Sequence, residues 1–232
     1  MRQLLIAGLT LWALTANSRL NAEPPSPFAR WEKAISSFEN QDEKAPPPQG
    51  ANLFVGSSSI RLWDLKESFP RHTTINRGFG GSQIADSVHF ADRLILKHRP
   101  STIVFYAGDN NIAKGKSPEQ VSQDFASFVK VIREELPETK IIYVAIKPSI
   151  SRWKLSETMQ QANKLIKAQC DKSDRLVFVD VFPPMLGDDG KPRPELFLKD
   201  GLHLNRKGYE IWAKLINPHL SKPAPEKKSA AK

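Results

Sequence analysis

The chain has 232 residues, 40% hydrophobic and 25% charged, with a formal net charge of +9; this suits one globular domain with a sizeable core. The charge is no sign of nucleic-acid binding: Arg2 and Arg19 fall in the first 22 residues, four lysines against Glu226 fall between Ser221 and Lys232, and +4 remains on the body, with no basic groove interleaved with aromatics. Cys170 is the single cysteine, which excludes an intrachain disulfide, and the five histidines show no metal-ligand spacing, so neither a metal nor a cofactor is expected.

Taken in chain order, the sequence opens as exported proteins do. Arg2 is a positive start, Leu4 to Ala16 is mostly apolar, and Leu20-Asn21-Ala22 offers a cleavage site before Glu23. The apolar run falls short of the roughly 20 residues that a membrane-spanning helix needs. Residues 1–22 are therefore expected to be a signal peptide, leaving a mature protein in the periplasm or outside the cell with no stable membrane span. Ser26-Pro27 then starts a helix over 27–40, with Phe28, Trp31, Ile35 and Phe38 on one face, and Gln41 to Gly50, with three consecutive prolines, reads as a stiff linker.

From there short apolar runs alternate with helical patterns. Strands are expected at Leu53–Val55, Thr73–Asn76, Thr102–Ala107, Lys140–Ile146 and Leu176–Val181. Between them Ile84, Val88, Ala91 and Ile95 share one face. Val121, Phe125, Phe128, Val129 and Ile132 do so after a capping box of Ser117 and Gln120, and Leu155, Met159, Ala162, Ile166 and Cys170 form a third face. A last helix starts near Arg206, capped by Asn205. Such alternation implies α/β: a three-layer α/β/α domain on a five-stranded parallel sheet. Ligands bind such sheets at the carboxyl ends of the strands, so the loops after the strands hold the candidate chemistry.

The loop after the first strand is Gly56-Ser57-Ser58-Ser59, which presents serines at the sheet edge but equally resembles a helix cap. The second carries Asn76-Arg77-Gly78-Phe79-Gly80-Gly81, whose glycines allow a backbone N–H to approach a ligand closely. The third is Gly108-Asp109-Asn110-Asn111, with an amide able to donate to an oxyanion. Near the C-terminus, Asp200 and His203 lie three apart before a capped helix, a spacing that lets a carboxylate orient an imidazole. The loop after the fourth strand adds Arg152 and Trp153 as candidate substrate contacts, with Phe79 and Trp63 as further ones.

These four motifs, in this order and each following a strand, resemble the SGNH/GDSL esterase family. Gly56-Ser57-Ser58 stands where that family has Gly-Asp-Ser, Gly81 matches its second-block glycine, Gly108-Asp109-Asn110-Asn111 matches Gly-x-Asn-Asp, and Asp200 and His203 match Asp-x-x-His. Ser57 and Asn111 depart from the pattern, each replacing an aspartate. The resemblance implies the flavodoxin-like SGNH hydrolase fold over residues 51–220, preceded by a helix and linker over 23–50 and followed by a disordered basic tail over 221–232. It implies Ser58 as nucleophile, His203 as general base and Asp200 as its orienter, with an oxyanion hole from the Ser58 and Gly81 N–H groups and the Asn110 side chain. The expected activity is hydrolysis of a small-molecule, glycan or lipid ester. A carbohydrate O-acetyl esterase leads, a lysophospholipase, short-chain lipase or thioesterase is the alternative, and a non-catalytic glycan-binding module is the rival of another class.

Overall fold

The sheet begins with β1 (Asn52–Gly56), β2 (Thr74–Gly78) and β3 (Thr102–Tyr106) and is completed by β4 (Lys140–Val144) and β5 (Leu176–Val179). In the computed structural model, which describes residues 26–221, every neighbouring pair runs parallel in the order β2-β1-β3-β4-β5. The expected signal peptide, and the expected tail beyond Ser221, lie outside the described residues.

Two-residue periodicity along each strand splits its side chains between two cores. Leu53, Val55, Ile103, Phe105, Ile141 and Tyr143 face one layer; Phe54, Val104, Tyr106, Ile142 and Val144 face the other. Helix α1 (Glu32–Lys44), the short α2 (Ser58–Arg61) and α3 (Leu65–Ser68), then α4 (Ile84–His89), α5 (Ala91–Leu94) and α6 (Asp109–Ala113) precede two long helices, α7 (Pro118–Glu135) and α8 (Ser156–Cys170). The first core is covered by residues of α1, α4, α5, α7 and α8, the second by residues of α2, α3 and the final helix, α9 (Arg206–Ile216). The fold is thus the three-layer α/β/α sandwich with a five-stranded parallel sheet.

The local signals behind these elements are visible in place. Ser117 accepts from the Gln120 N–H and Gln120 returns the bond to the Ser117 N–H, with Pro118 in the first turn of α7. The Asn205 side chain accepts from the Gly208 N–H at the start of α9. Cys170 is buried and its thiol is pushed up to about 12, first by burial, as befits an inert core residue.

Three expected elements differ. The N-terminal helix runs from Glu32 to Lys44 behind a 3-10 turn at Ala29–Trp31, so Gln41–Lys44 are helical and the linker shrinks to the residues after them. The helix of Ile84 to Ile95 is two helices, because Phe90 leaves helical geometry at φ −96°, ψ 15° and is buried beside Phe79 and Phe28. The N-terminal helix is docked on the body through its amphipathic face and several ion pairs. Arg93 binds Glu32 and Glu39 at 2.8 and 2.6 Å, Lys97 binds Asp42 at 2.8 Å, and Arg77 of β2 pairs with Asp42 as well.

This strand order has one topological switch. The chain leaves β1 for β2 on one side and returns to β3 on the other, so the crevice lies beyond the carboxyl ends of β1 and β3. Gly56 and Tyr106 are register partners there. Gly56 takes φ +134° and a Cβ would lie 1.9 Å from the Tyr106 carbonyl oxygen, so only glycine fits where β1 turns into the loop.

Candidate active site

The turn after Gly56 places Ser58 at the first residue of α2, held by the Ser57 N–H donating to the Tyr106 carbonyl at 3.0 Å. Ser57 and Ser59 are buried at 3% and 2% exposure. His203 reaches Ser58 from the other end of the domain, with Nε2 2.9 Å from Oγ, and its Nδ1 lies 2.6 Å from Asp200 Oδ2. A carboxylate accepts only, so Nδ1 carries the proton and Nε2 is free to accept from the serine hydroxyl.

The Asp200–His203 turn is built locally. Asp200 Oδ1 accepts the Leu202 and His203 backbone N–H groups, both at 2.9 Å. Gly201 takes φ +62°, and Leu198 donates to the His203 carbonyl at 2.8 Å. The hydrogen bond from His203, then those from the two backbone groups, draw the Asp200 carboxyl down to about 2. Asp200 is therefore an anion at any ordinary pH, able to hold the imidazole and stabilise it once protonated.

Three hydrogen-bond donors are the expected oxyanion contacts. The backbone N–H groups of Ser58 and Gly81 find no acceptor among the described residues. Gly81 takes φ +76°, and a Cβ on it would sit 3.3 Å from Cη2 of Trp31, so the N-terminal segment backs this loop. The Asn110 amide donates to the Ser82 carbonyl at 3.0 Å, which spends one of its two N–H groups. Asn111 is fully buried and structural: its Oδ1 accepts from the Ile84 N–H at 3.2 Å and its Nδ2 donates to Asp124 at 2.8 Å.

The remaining expected contacts divide. Arg152 binds Asp109 at 2.6 Å and Asn110 at 3.1 Å through a single nitrogen. Trp153 lines a groove of about 670 Å³ with Ile150, Asp188, Lys191, Arg193 and Glu195. That groove adjoins the Asp200–His203 turn, because Ile150 lies against Gly201 and the Ser151 N–H donates to the Gly201 carbonyl. Phe79 is not a substrate contact: it is 1% exposed, packed on Trp31 and Phe90. Trp63 is 3% exposed and stacks on Tyr209 at 5.1 Å with its N–H on Ser68; although it lines a shallow groove with Leu62 and Leu198, its burial makes it a packing residue. Sequence reasoning missed Lys147, 1% exposed with Nζ 3.3 Å from Asp109. A lysine directly after the apolar run Val144-Ala145-Ile146 is the signal that marks it.

A doubly wound sheet with a serine, a histidine and an aspartate in hydrogen-bonding line at its switch point has the parts that nucleophilic hydrolysis needs. Residues 59–211 match the model of the GDSL-like Lipase/Acylhydrolase family, and the chain belongs to that family: it is a carboxylic ester hydrolase, and the non-catalytic reading is set aside. The match starts one residue after Ser58, so the distance to His203 is what singles that serine out. Human platelet-activating factor acetylhydrolase IB subunit alpha1 is 28% identical over 187 residues, 78% of each chain. The alpha2 subunit from Gallus gallus is 27% identical over 215 residues, 87% of this chain and 90% of the relative. Among solved structures, a putative platelet activating factor from Streptococcus pneumonia superposes with a TM-score of 0.74 at 23% identity, covering 82% of this chain and 92% of that one. A mutant of an acetyl-xylooligosaccharide esterase from Geobacillus Stearmophilus gives 0.58 at 15%, covering 74% and 94%.

Proposed function

We propose that the chain is an exported serine esterase that removes a short acyl group, acetyl foremost, from a polyhydroxylated alcohol. The observation that carries the mechanism is the continuous line Asp200–His203–Ser58, at 2.6 and 2.9 Å. His203 Nε2 takes the hydroxyl proton as Ser58 Oγ attacks the ester carbonyl. The Ser58 and Gly81 N–H groups and the free N–H of Asn110 receive the oxyanion. His203 then returns the proton to the departing alcohol, and water, deprotonated by the same imidazole, releases the acyl group.

The acetyl preference draws on the curated relatives, which are named acetylhydrolases. The sugar alcohol draws on the groove beside Ile150, whose lining combines Trp153 with carboxylates and cations, a pairing of apolar surface and hydrogen-bonding groups suited to a sugar ring. A lipid alcohol is the second reading, supported by the exposed Ile150, Leu62 and Leu198, at 44%, 40% and 48%. The deciding measurement is turnover by the purified mature protein of p-nitrophenyl esters from two to sixteen carbons, alongside an acetylated xylooligosaccharide and an acetylated lysoglycerophospholipid. An acetyl optimum with faster sugar turnover is expected; a long-chain optimum, or faster lipid turnover, overturns the substrate. Export predicts a mature N-terminus near Glu23, and mass spectrometry finding an intact Met1 to Ala22 segment on the native protein overturns it.

A further inference from the structure

Asp109 is 5% exposed, yet it meets two cations: Lys147 at 3.3 Å and Arg152 at 2.6 Å. Burial opposes ionisation of Asp109, but Lys147 and Arg152 together hold its pKa below the usual carboxylate value. Burying such a group of charges is costly, and one cation already pairs the carboxylate. The second cation therefore calls for another explanation, and its geometry supplies one. Arg152 Nη1 donates to Asp109 Oδ1 and, at 3.1 Å, to Oδ1 of Asn110.

A carboxamide has a donor end and an acceptor end that differ little in shape, so its orientation is set by its partners. Here the guanidinium claims the oxygen end of Asn110, while the Ser82 carbonyl, at 3.0 Å, claims one N–H at the other end. Turning the amide over would set its NH₂ against a guanidinium and its oxygen against a carbonyl. The orientation seen leaves one N–H unspent. We propose that Arg152 is a positioning residue: fastened by Asp109, it holds the Asn110 carboxamide in the orientation that offers this N–H to the oxyanion. The inference rests on the reading of Asn110 as an oxyanion donor.

The test is a double-mutant cycle on turnover of an acetyl ester, with folding followed by circular dichroism. Arg152→Ala is expected to lower kcat about 10- to 100-fold, the size of effect a misplaced catalytic group produces, with KM within about 2-fold. In an Asn110→Ala background the same change should cost less than about 3-fold, because its target is gone. Arg152→Lys should recover part of kcat, and added guanidinium ion should help Arg152→Ala but not the double variant. Full multiplication of the two single losses overturns the proposal, as does a rise in KM at unchanged kcat, which marks a substrate contact. Should Arg152→Ala fail to fold, Asp109→Asn removes the anchor at constant shape and must show the same dependence on Asn110. If Asn110→Ala alone turns over at the wild-type rate, the oxyanion reading falls and takes this inference with it. If Asn110→Ala is slow while Arg152→Ala is not, only the role of Arg152 falls.

Discussion

In the loop after β5, His203 Nδ1 lies 2.6 Å from Asp200; beneath the N-terminal helix, His98 Nε2 lies 3.4 Å from Asp42. The side chains are the same and their surroundings are opposite. Among the described residues Asp200 forms no ion pair besides that with His203, its second oxygen is filled by backbone N–H groups, and His203 keeps 24% of its side chain in solvent. Asp42 is claimed by Arg77 and Lys97, and His98 is 4% exposed. Burial first, then the charge on Arg77, pushes His98 down to about 4, so it is neutral at pH 7. Where an aspartate leaves its charge to the histidine and the ring stays partly open, as at Asp200, the imidazole can reach a serine hydroxyl. Where two cations already neutralise the carboxylate, the histidine becomes packing.

The largest expected effect breaks this comparison at its active member. His203→Ala and Ser58→Ala should each lower turnover by about 10⁴-fold or more, and Asp200→Ala somewhat less, since solvent or a backbone carbonyl partly substitutes for an orienting group. His98→Asn should leave turnover within about 2-fold. A fluorophosphonate probe should label wild type, Ser57→Ala and Ser59→Ala, but not Ser58→Ala; labelled peptides mapping to Ser57 or Ser59 would refute the assignment.

The buried pair breaks through stability instead. Arg77 is 5% exposed, with its guanidinium 5.1 Å from the Phe38 ring, and Arg77→Met leaves Asp42 with Lys97 as its remaining cation. A loss of about 3 kcal/mol in urea unfolding is expected, from breaking a buried ion pair whose remaining cation, Lys97, is 36% exposed. A variant as stable as wild type would show that Asp42 does not depend on Arg77.

His98 also sets a pH dependence with a definite sign. Its folded pKa, about 4, lies below its ordinary 6.5, so between these values the unfolded chain binds the extra proton. Stability should be full above about pH 6.5 and fall by about 3 kcal/mol as pH drops to 4. Urea midpoints for wild type and His98→Asn should converge across that window; parallel curves would remove His98 from the account. Smallest is the solvent-facing pair of Arg206 with Glu67, 74% and 50% exposed. Arg206→Ala should shift stability by less than about 0.5 kcal/mol, measured in the same way.

Much of this was readable along the chain because the signals are local. The capping box at Ser117 and Gln120, the Asn205 cap and the Asp200-Gly201-Leu202-His203 turn each complete their hydrogen bonds within three residues. Strand positions followed from apolar runs, though β2 extends to Gly78 and β5 stops at Val179. Long-range packing was less legible. Phe79 and Trp63 look like pocket aromatics next to motif residues, yet both are drawn into the two cores. Periodicity also carried one helix through Phe90, where burial of its ring outweighs helix continuity.

What the sequence by itself determined is the set of elements, the parallel layered fold and the order of the motif-bearing loops, since these follow from hydrophobic period and local capping. The tertiary structure decided which polar groups share a site. Ser58 and His203 are 145 residues apart, and Asp109 meets Lys147 and Arg152 across 38 and 43. Contacts of that span leave no period in the chain, and charge–charge energies depend on distance and burial, which exist only once the sheet has closed its layers.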